Sequence, residues 1–475
     1  MTTTDLLILF VASCAISASL TWFLVRRKLG FGQDAPDHRK SHTVEVSRLG
    51  GLPIFVAIVA GVVALTVRGN LEFAKWWPVY LCNLLIFGLG FIDDIRPLGA
   101  KLKLFGQLGA ALIAYGLNLS IDIVSIPFGD GSLQLGSLSL PITLIWCVAI
   151  TNIINLIDGM DGLASGIGMF LCICLGVVGF VAGQHGVALM AILMAGALLG
   201  FLFFNFPPAK IYLGDGGAYF LGFFIASVSM TSSNKGTVAA VLLVVMIALG
   251  LPILDTAFAI ARRGIRGLPL FRADAEHIHH RLIVMGYSKN AALVAMYTIC
   301  GIFSVIGLSV FLSKGMTLPI AGAAVFLVAL FAARYLGYIG DWKNLQKQFK
   351  NAMRRRKEVQ YAMIHGQLLE VELDRCPDEA KFWEFFKVSM ERIGMSTVEK
   401  PDYVPLHLRS SSGVRWDFYV PEKYHARTAS DWRTLAECLL PVYVMARMKW
   451  APESLQDEES SGGNTLEDAN PSRSI

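Results

Sequence analysis

Carboxylates recur where apolar runs end. Asp93 and Asp94 close Gly90-Phe91-Ile92-Asp93-Asp94. Asp158 and Asp161 lie in Asn152-Ile153-Ile154-Asn155-Leu156-Ile157-Asp158-Gly159-Met160-Asp161-Gly162. Asp215 lies in Tyr212-Leu213-Gly214-Asp215-Gly216-Gly217. Asp255 ends a later run, and Asp274 and His277-Ile278-His279-His280-Arg281 follow it. A carboxylate at an apolar boundary is costly unless it is paired, solvated or bound to a cation. Clustered Asp and Asn oxygens suit Mg2+ or Mn2+, hard cations that prefer oxygen. Glycines beside Asp158, Asp161 and Asp215 allow a bulky anion to approach closely. Lys101, Lys103, Arg48 and Arg281 can offset phosphate charge. Metal plus cations around a diphosphate is the general arrangement for phosphoryl transfer.

Each element also has an ordinary reading. Asp93 and Asp94 could cap a helix end. Asn155 and Asp158, i and i+3 on a helix, could satisfy each other. The histidines argue against zinc: HxHH puts His277 and His280 on one helical face and turns His279 away, with no cysteine nearby. What favours chemistry is that all these groups fall on one side of the chain's apolar segments.

Those segments dominate the composition. Hydrophobic residues make up 54% of the 475 residues and charged residues only 16%, against about 25% in a soluble domain. That excludes a soluble globular or a disordered chain. Stretches of membrane-spanning length occur at 6–25, 52–67, 76–92, 104–121 and 138–157. Two more arise from 162–209, broken at Gly183-Gln184-His185-Gly186. The last four are 216–234, 236–254, 290–313 and 315–333. Arg26, Arg27 and Lys28 follow the first span, which places the N-terminus outside. With eleven spans most basic loop residues then fall inside, and only Arg68, Lys75, Lys235 and Lys314 fall outside. Of the eight cysteines, six lie in apolar runs without ligand-like spacing, as small buried hydrophobes do.

After Arg334 the composition changes. Residues 341–370 form a charged, helix-prone stretch with Arg354-Arg355-Arg356-Lys357. Pro377–Ile393 reads as a helix with Phe382, Phe385, Phe386, Ser389 and Ile393 at helical spacing and Gly394 as its stop. Residues 414–420 alternate as a strand, with 404–408 as a weaker partner. Ser430 reads as the cap of a helix running to Trp450 and bent by Pro441. The expected fold is an all-α polytopic membrane protein of about eleven transmembrane helices with a small C-terminal cytoplasmic α+β domain. Its parts are 1–338, the membrane domain; 339–451, the accessory domain; and 452–475, a disordered tail.

In combination, Arg48-Leu49-Gly50-Gly51, Gly90–Asp94, Lys103-Leu104-Phe105-Gly106-Gln107, NIINLIDGMDGL, YLGDGGAYFLG, LPILD and HIHHRL resemble the polyprenyl-phosphate N-acetylhexosamine-1-phosphate transferases. The resemblance covers about residues 1–338. The HIHHRL form is similar to the bacterial undecaprenyl-phosphate N-acetylglucosaminyl 1-phosphate transferases. The peptidoglycan branch, which transfers phospho-N-acetylmuramoyl-pentapeptide, usually has three consecutive histidines, and Ile278 interrupts them here. The resemblance implies transfer of a sugar 1-phosphate from a UDP-sugar to undecaprenyl phosphate, with UMP released, starting a lipid-linked surface glycan at the bacterial cytoplasmic membrane. It implies Mg2+, or Mn2+, at Asp215 with Asp158. It implies catalytic roles for Asp93, Asp94, Asp158, Asp161, His279 and His280. Substrate contacts fall to Lys103, Asn152, Asn155, His277, Arg281 and Arg48. Ala275-Glu276 departs from the family pattern, in which an Arg often follows the aspartate matched by Asp274. Membrane lipids and a later glycosyltransferase docking on the C-terminal domain are expected partners; nucleic acid is not. A proton-coupled transporter is the alternative from another class, although no internal repeat is visible.

Overall fold

The computed structural model describes residues 3–27, 33–34, 46–125, 132–231, 235–266, 278–335, 342–409, 415–422 and 429–450. They divide into two compact units. The first holds the described residues up to Ala259 and those from Ile278 to Tyr335. The second holds Ile260–Arg266 and those from Trp342 onward. The proposed tail, 452–475, lies outside the described residues.

In the first unit, helices α1 (Thr3–Arg27), α2 (Gly51–Val67), α3 (Phe73–Ile95), α4 (Ala100–Gly116) and α5 (Ser139–Ile157) are followed by α6 (Leu163–Val181), α7 (His185–Asn205) and α8 (Gly214–Met230). Then come α9 (Lys235–Ala248), α10 (Gly250–Arg266, of which the part from Ile260 belongs to the second unit), the short α11 (Ile278–Val284), α12 (Lys289–Leu312) and α13 (Leu318–Tyr335). Among the described residues six helices, α1, α3, α5, α6, α7 and α12, are long and apolar enough to cross a membrane. The pair α9–α10, bent by 64°, makes a seventh if it is one span. The sequence gives that segment as one uninterrupted run. Pro252 explains the bend: without an N–H it leaves the Ala248 carbonyl without its i+4 donor. The remaining apolar helices are shorter, α2, α4 and α8 at 17 residues and α13 at 18.

Helix α8 sits innermost. Every one of its residues except Asp215 is buried, as expected of a helix apolar on all faces. It packs against α3 and α5, with α2, α6, α7 and α9 also in contact. Where α3 crosses it, Gly90 is required: a Cβ there would stand 2.5 Å from the Asp215 carbonyl oxygen. Small residues that let backbones touch are the usual device where helices meet in a membrane. Polar links add to it. Asn83 Nδ2 donates to Ser227 Oγ at 2.9 Å, and Trp146 Nε1 to Ser229 Oγ at 3.2 Å.

The second unit has its own core. Its elements are α14 (Trp342–Arg375), α15 (Glu379–Ile393), β5 (Tyr403–Arg409), β6 (Arg415–Pro421), α16 (Ala429–Glu437) and α17 (Leu440–Trp450); the short strands β1 (Gln33–Asp34), β2 (Val46–Ser47), β3 (Ile123–Ser125) and β4 (Ser132–Gln134) belong to the first unit. Asp378 caps α15 by accepting the Ala380 N–H at 3.0 Å, and Gly394 ends it with φ +93°. Strands β5 and β6 pair antiparallel, with Leu406 opposite Phe418 and Val404 opposite Val420. Trp416, Phe418 and Val420 face inward and meet Phe382, Phe386, Met390 and Ile393. Phe385 points out instead, half exposed. The single bent helix expected after Ser430 is two helices. The first starts at Ala429, and Pro441 occupies the first turn of the second, where proline's missing donor costs nothing.

Candidate active site

The site is built around the N-terminus of α8. Gly214 there has φ +76°, and a Cβ would collide with the Arg48 carbonyl oxygen and the Asp94 carboxylate. Asp94, at the end of α3, accepts the Asp215 N–H with Oδ1 and the Gly216 N–H with Oδ2, both at 2.8 Å. It therefore caps a helix that is not its own, where the amide dipoles favour negative charge. The cap reading of the aspartate pair holds for Asp94, on α8 rather than on α3. Gly214 and Gly216 do not open onto an anion-sized space on that side; Asp94 fills it.

Asp93, nearly fully buried, turns to Lys103 on α4. Lys103 Nζ pairs with the Asp93 carboxylate and lies 3.2 Å from Asp215 Oδ2. Asp93 Oδ1 also accepts the Leu98 N–H at 2.6 Å, which fixes the turn between α3 and α4. One cation thus bridges two carboxylates from different helices. One turn further along α4, buried Gln107 accepts from Asn152 Nδ2 at 2.6 Å, which orients Asn152 on α5.

Asp158 follows α5. Its carboxyl is pushed well above the usual carboxylate range, first by desolvation, then by the charges of Asp215 and Asp94, with Arg48 opposing. The four loops therefore meet electrostatically at one place. Arg48 is strapped there by its neighbours: the Tyr212 N–H donates to the Ser47 carbonyl at 2.8 Å, and the Gly50 N–H to the Tyr212 carbonyl at 2.9 Å. Asp161 accepts the Ala209 N–H at 3.1 Å, so it ties its loop to the segment leading into α8. Asn155 and Asp158 are joined through the backbone, Asp158 N–H to Asn155 carbonyl at 3.2 Å.

Asp255 anchors the histidine segment. Its Oδ1 accepts the Ile278 N–H at 3.0 Å, and Ile278 itself is buried. His277 lies outside the described residues. His279 and His280 lie on α11 with side chains outside them, and Arg281 is on the same helix.

Among the described residues no three His, Cys, Asp or Glu side chains form a group that could hold a metal ion. Magnesium does not need three. It is usually held by one or two carboxylates, with water and substrate phosphates completing the shell. Asp158 and Asp215 supply oxygen donors of that kind, close enough for the charge of one to act on the other. The donor chemistry fits.

A model of glycosyl transferase family 4 matches residues 76–233. That range takes in Asp93, Asp94, Lys103, Asn152, Asn155, Asp158, Asp161 and Asp215. The "Probable undecaprenyl-phosphate N-acetylglucosaminyl 1-phosphate transferase" of Bacillus subtilis (strain 168) is 34% identical over 355 residues, 74% of this chain and 98% of that protein. A decaprenyl-phosphate N-acetylglucosaminephosphotransferase of Mycobacterium tuberculosis is 34% identical over 294 residues, covering 56% of this chain and 72% of that protein. A phospho-N-acetylmuramoyl-pentapeptide-transferase of Listeria welshimeri is 30% identical over 305 residues, covering 61% and 91%. With nearly the whole length of the Bacillus protein aligned, and multiple apolar helices around a charged site, this chain is a multi-pass membrane sugar-phosphate transferase and belongs to the polyprenyl-phosphate N-acetylhexosamine-1-phosphate transferase family.

Proposed function

We propose that the enzyme transfers N-acetylhexosamine 1-phosphate, with N-acetylglucosamine as the sugar, from a UDP-sugar to undecaprenyl phosphate. UMP is released and a lipid-linked cell-surface glycan is begun. The observation that carries this reading is Lys103 held between Asp93 and Asp215 at the N-terminus of the innermost helix. It is an acidic, cation-bridged site at the end of an apolar bundle, suited to a diphosphate on one side and a lipid on the other.

An oxygen of the acceptor phosphate attacks the sugar-bearing phosphorus. The bond from that phosphorus to the bridging oxygen breaks, and its electron pair leaves with UMP. A phosphate monoester has a second pKa near about 6, so the acceptor is mostly dianionic at neutral pH and needs no strong base. The main task is to bring two anions together. Lys103 neutralises charge where they meet, and Asp93 holds it in place. Asp94 keeps α8 and Asp215 in register. Mg2+ or Mn2+, when bound, supplies charge neutralisation at the diphosphate, and Asp158 and Asp215 would hold it.

The charge bias of the loops supports eleven spans in the bacterial inner membrane, N-terminus outside, with site and C-terminus cytoplasmic. The second unit is then a cytoplasmic accessory domain, attached through a basic helix suited to anionic headgroups and docking a later glycosyltransferase. Ile278, buried and tied to Asp255 between His277 and His279, supports the N-acetylglucosamine branch over phospho-N-acetylmuramoyl-pentapeptide transfer.

Purified protein, undecaprenyl phosphate, Mg2+ and a panel of UDP-sugars test the reading by mass analysis of the lipid. The expected product is the acceptor plus one N-acetylhexosamine phosphate, with UMP appearing in step. Product from the UDP-muramoyl-pentapeptide alone would move the chain to the peptidoglycan branch. No product from any donor would overturn the reading.

A further inference from the structure

The loop that carries Asp158 and Asp161 ends at Gly162, whose φ of +77° suits glycine. That residue is held through both of its backbone polar groups. Its N–H donates to Asn205 Oδ1 at 3.0 Å, and its carbonyl accepts the Tyr297 hydroxyl. Asn205, at the last turn of α7, is nearly fully buried. Its Oδ1 also accepts the Ser165 hydroxyl at 2.8 Å, and its Nδ2 donates to the Ile211 carbonyl at 2.9 Å. Tyr297 comes from α12, outside the 76–233 range of the family model. Its ring is set edge-on to Phe170, with centroids 5.6 Å apart, and closely covers Gly166. The hydroxyl is therefore aimed by packing rather than free to swing.

We propose that Tyr297 is a positioning residue for the transferase reaction: by clamping the Gly162 carbonyl opposite Asn205, it sets where the Asp158 and Asp161 carboxylates stand. The inference rests on the reading of Asp158 as part of the site. Tyr297 does not reach the reacting groups itself. It acts through a peptide one residue from Asp161 and four from Asp158. Asn205 completes the clamp and, through Ile211, links it to the segment leading into α8. Helix α12 thereby reaches the aspartate loop while also packing against α11, the histidine helix.

The test is Tyr297→Phe in the full-length detergent-solubilised enzyme, which keeps the ring and removes only the hydroxyl. Misplacing a catalytic group by about 1 Å can cost about 100-fold; on that scale kcat should fall about 10- to 100-fold. The KM for the UDP-sugar should stay within about twofold and the melting temperature should hold, because binding and packing are untouched. Amide hydrogen exchange across 158–163 should quicken. Unchanged kcat together with unchanged exchange would overturn the clamp. So would a fall in melting temperature and kcat together with a rise in KM, which a merely structural tyrosine gives. If the wild-type protein turns over none of the offered substrates, the proposed reaction fails, and the exchange across 158–163 decides the clamp alone.

Discussion

Asp94 holds the N-terminus of a helix that begins 120 residues further along the chain, and both of its carboxylate oxygens are engaged on the Asp215 and Gly216 amides. A carboxylate so engaged is a poor candidate for a mobile proton acceptor. Asp94→Asn keeps one acceptor oxygen and turns an N–H2 toward an amide. Loss of a helix cap costs about 1 kcal/mol, so a modest fall in melting temperature should accompany a large fall in turnover. The check is a pH–rate profile from 6.5 to 9 (a range of about this width, set around the phosphate pKa). Activity that returned on raising the pH would restore Asp94 as a base.

Metal dependence should follow from the donors. Turnover should vanish in chelator and return with Mg2+ or Mn2+. Asp215→Asn should lower the metal-saturated rate by about 100-fold or more, because it removes charge where charge develops. Titration of rate against Mg2+ for wild type, Asp215→Asn and Lys103→Met checks it. An Asp215→Asn enzyme with an unchanged metal titration would remove Asp215 from the site.

Much of the molecule could be read from residue patterns, and the exceptions share a cause. Apolar runs mark helices because each carries its own signal along the chain. Trp416, Phe418 and Val420 show their inward face by alternation alone. The bend between α9 and α10 breaks a run that reads as one span, and Pro252 is its physical cause. The role of Asp94 was not legible, because its partners lie on a helix far away in sequence. Gln107 belongs to a motif, but only the fold shows that it holds Asn152. Asn205 does carry a signal: an amide inside an otherwise apolar run needs a partner. Tyr297 carried none, since a tyrosine in a membrane helix is ordinary.

Topology gives a third prediction. Single cysteines introduced at Ala100 and Asn70, in a background without the native cysteines, should label from opposite sides of the membrane, Ala100 from the cytoplasm. The measure is reaction with a membrane-impermeant maleimide in intact cells and in inverted vesicles. Labelling of Ala100 in intact cells would place the Asp93–Lys103 pair on the wrong face.

The second unit should lose stability in acid. His365 is buried on α14 with Nδ1 3.3 Å from Ser389 Oγ. Burial, then the nearby Arg392 charge, lowers its pKa below the ordinary value. The unfolded chain then takes up the proton first as pH falls. Stability is full above about 6.5 and declines below it, down to the lowered folded value. Resistance of the 379–421 region to pulse proteolysis in the full chain should fall between about pH 7 and 5. His365→Gln should flatten that profile.

Removal of the part of the second unit beyond Gly340 tests its role. A chain ending at Gly340 should keep turnover in detergent within about twofold while polymer output in cells falls. A large loss of melting temperature and turnover together would favour packing over docking.

The separation between Asp94 and its cap has a consequence for how the protein is made. Asp93 and Lys103 are close in sequence and can neutralise each other as soon as α4 is in place. The amides that receive Asp94 are 121 and 122 residues downstream. At about 5–20 residues per second that interval is on the order of ten seconds of synthesis. Throughout it a charged side chain waits at the edge of the bilayer. Arrival of α8 caps Asp94 and sets Asp215 beside Lys103 in one event, while the segments that carry Asp255, the histidines and Tyr297 have still to follow.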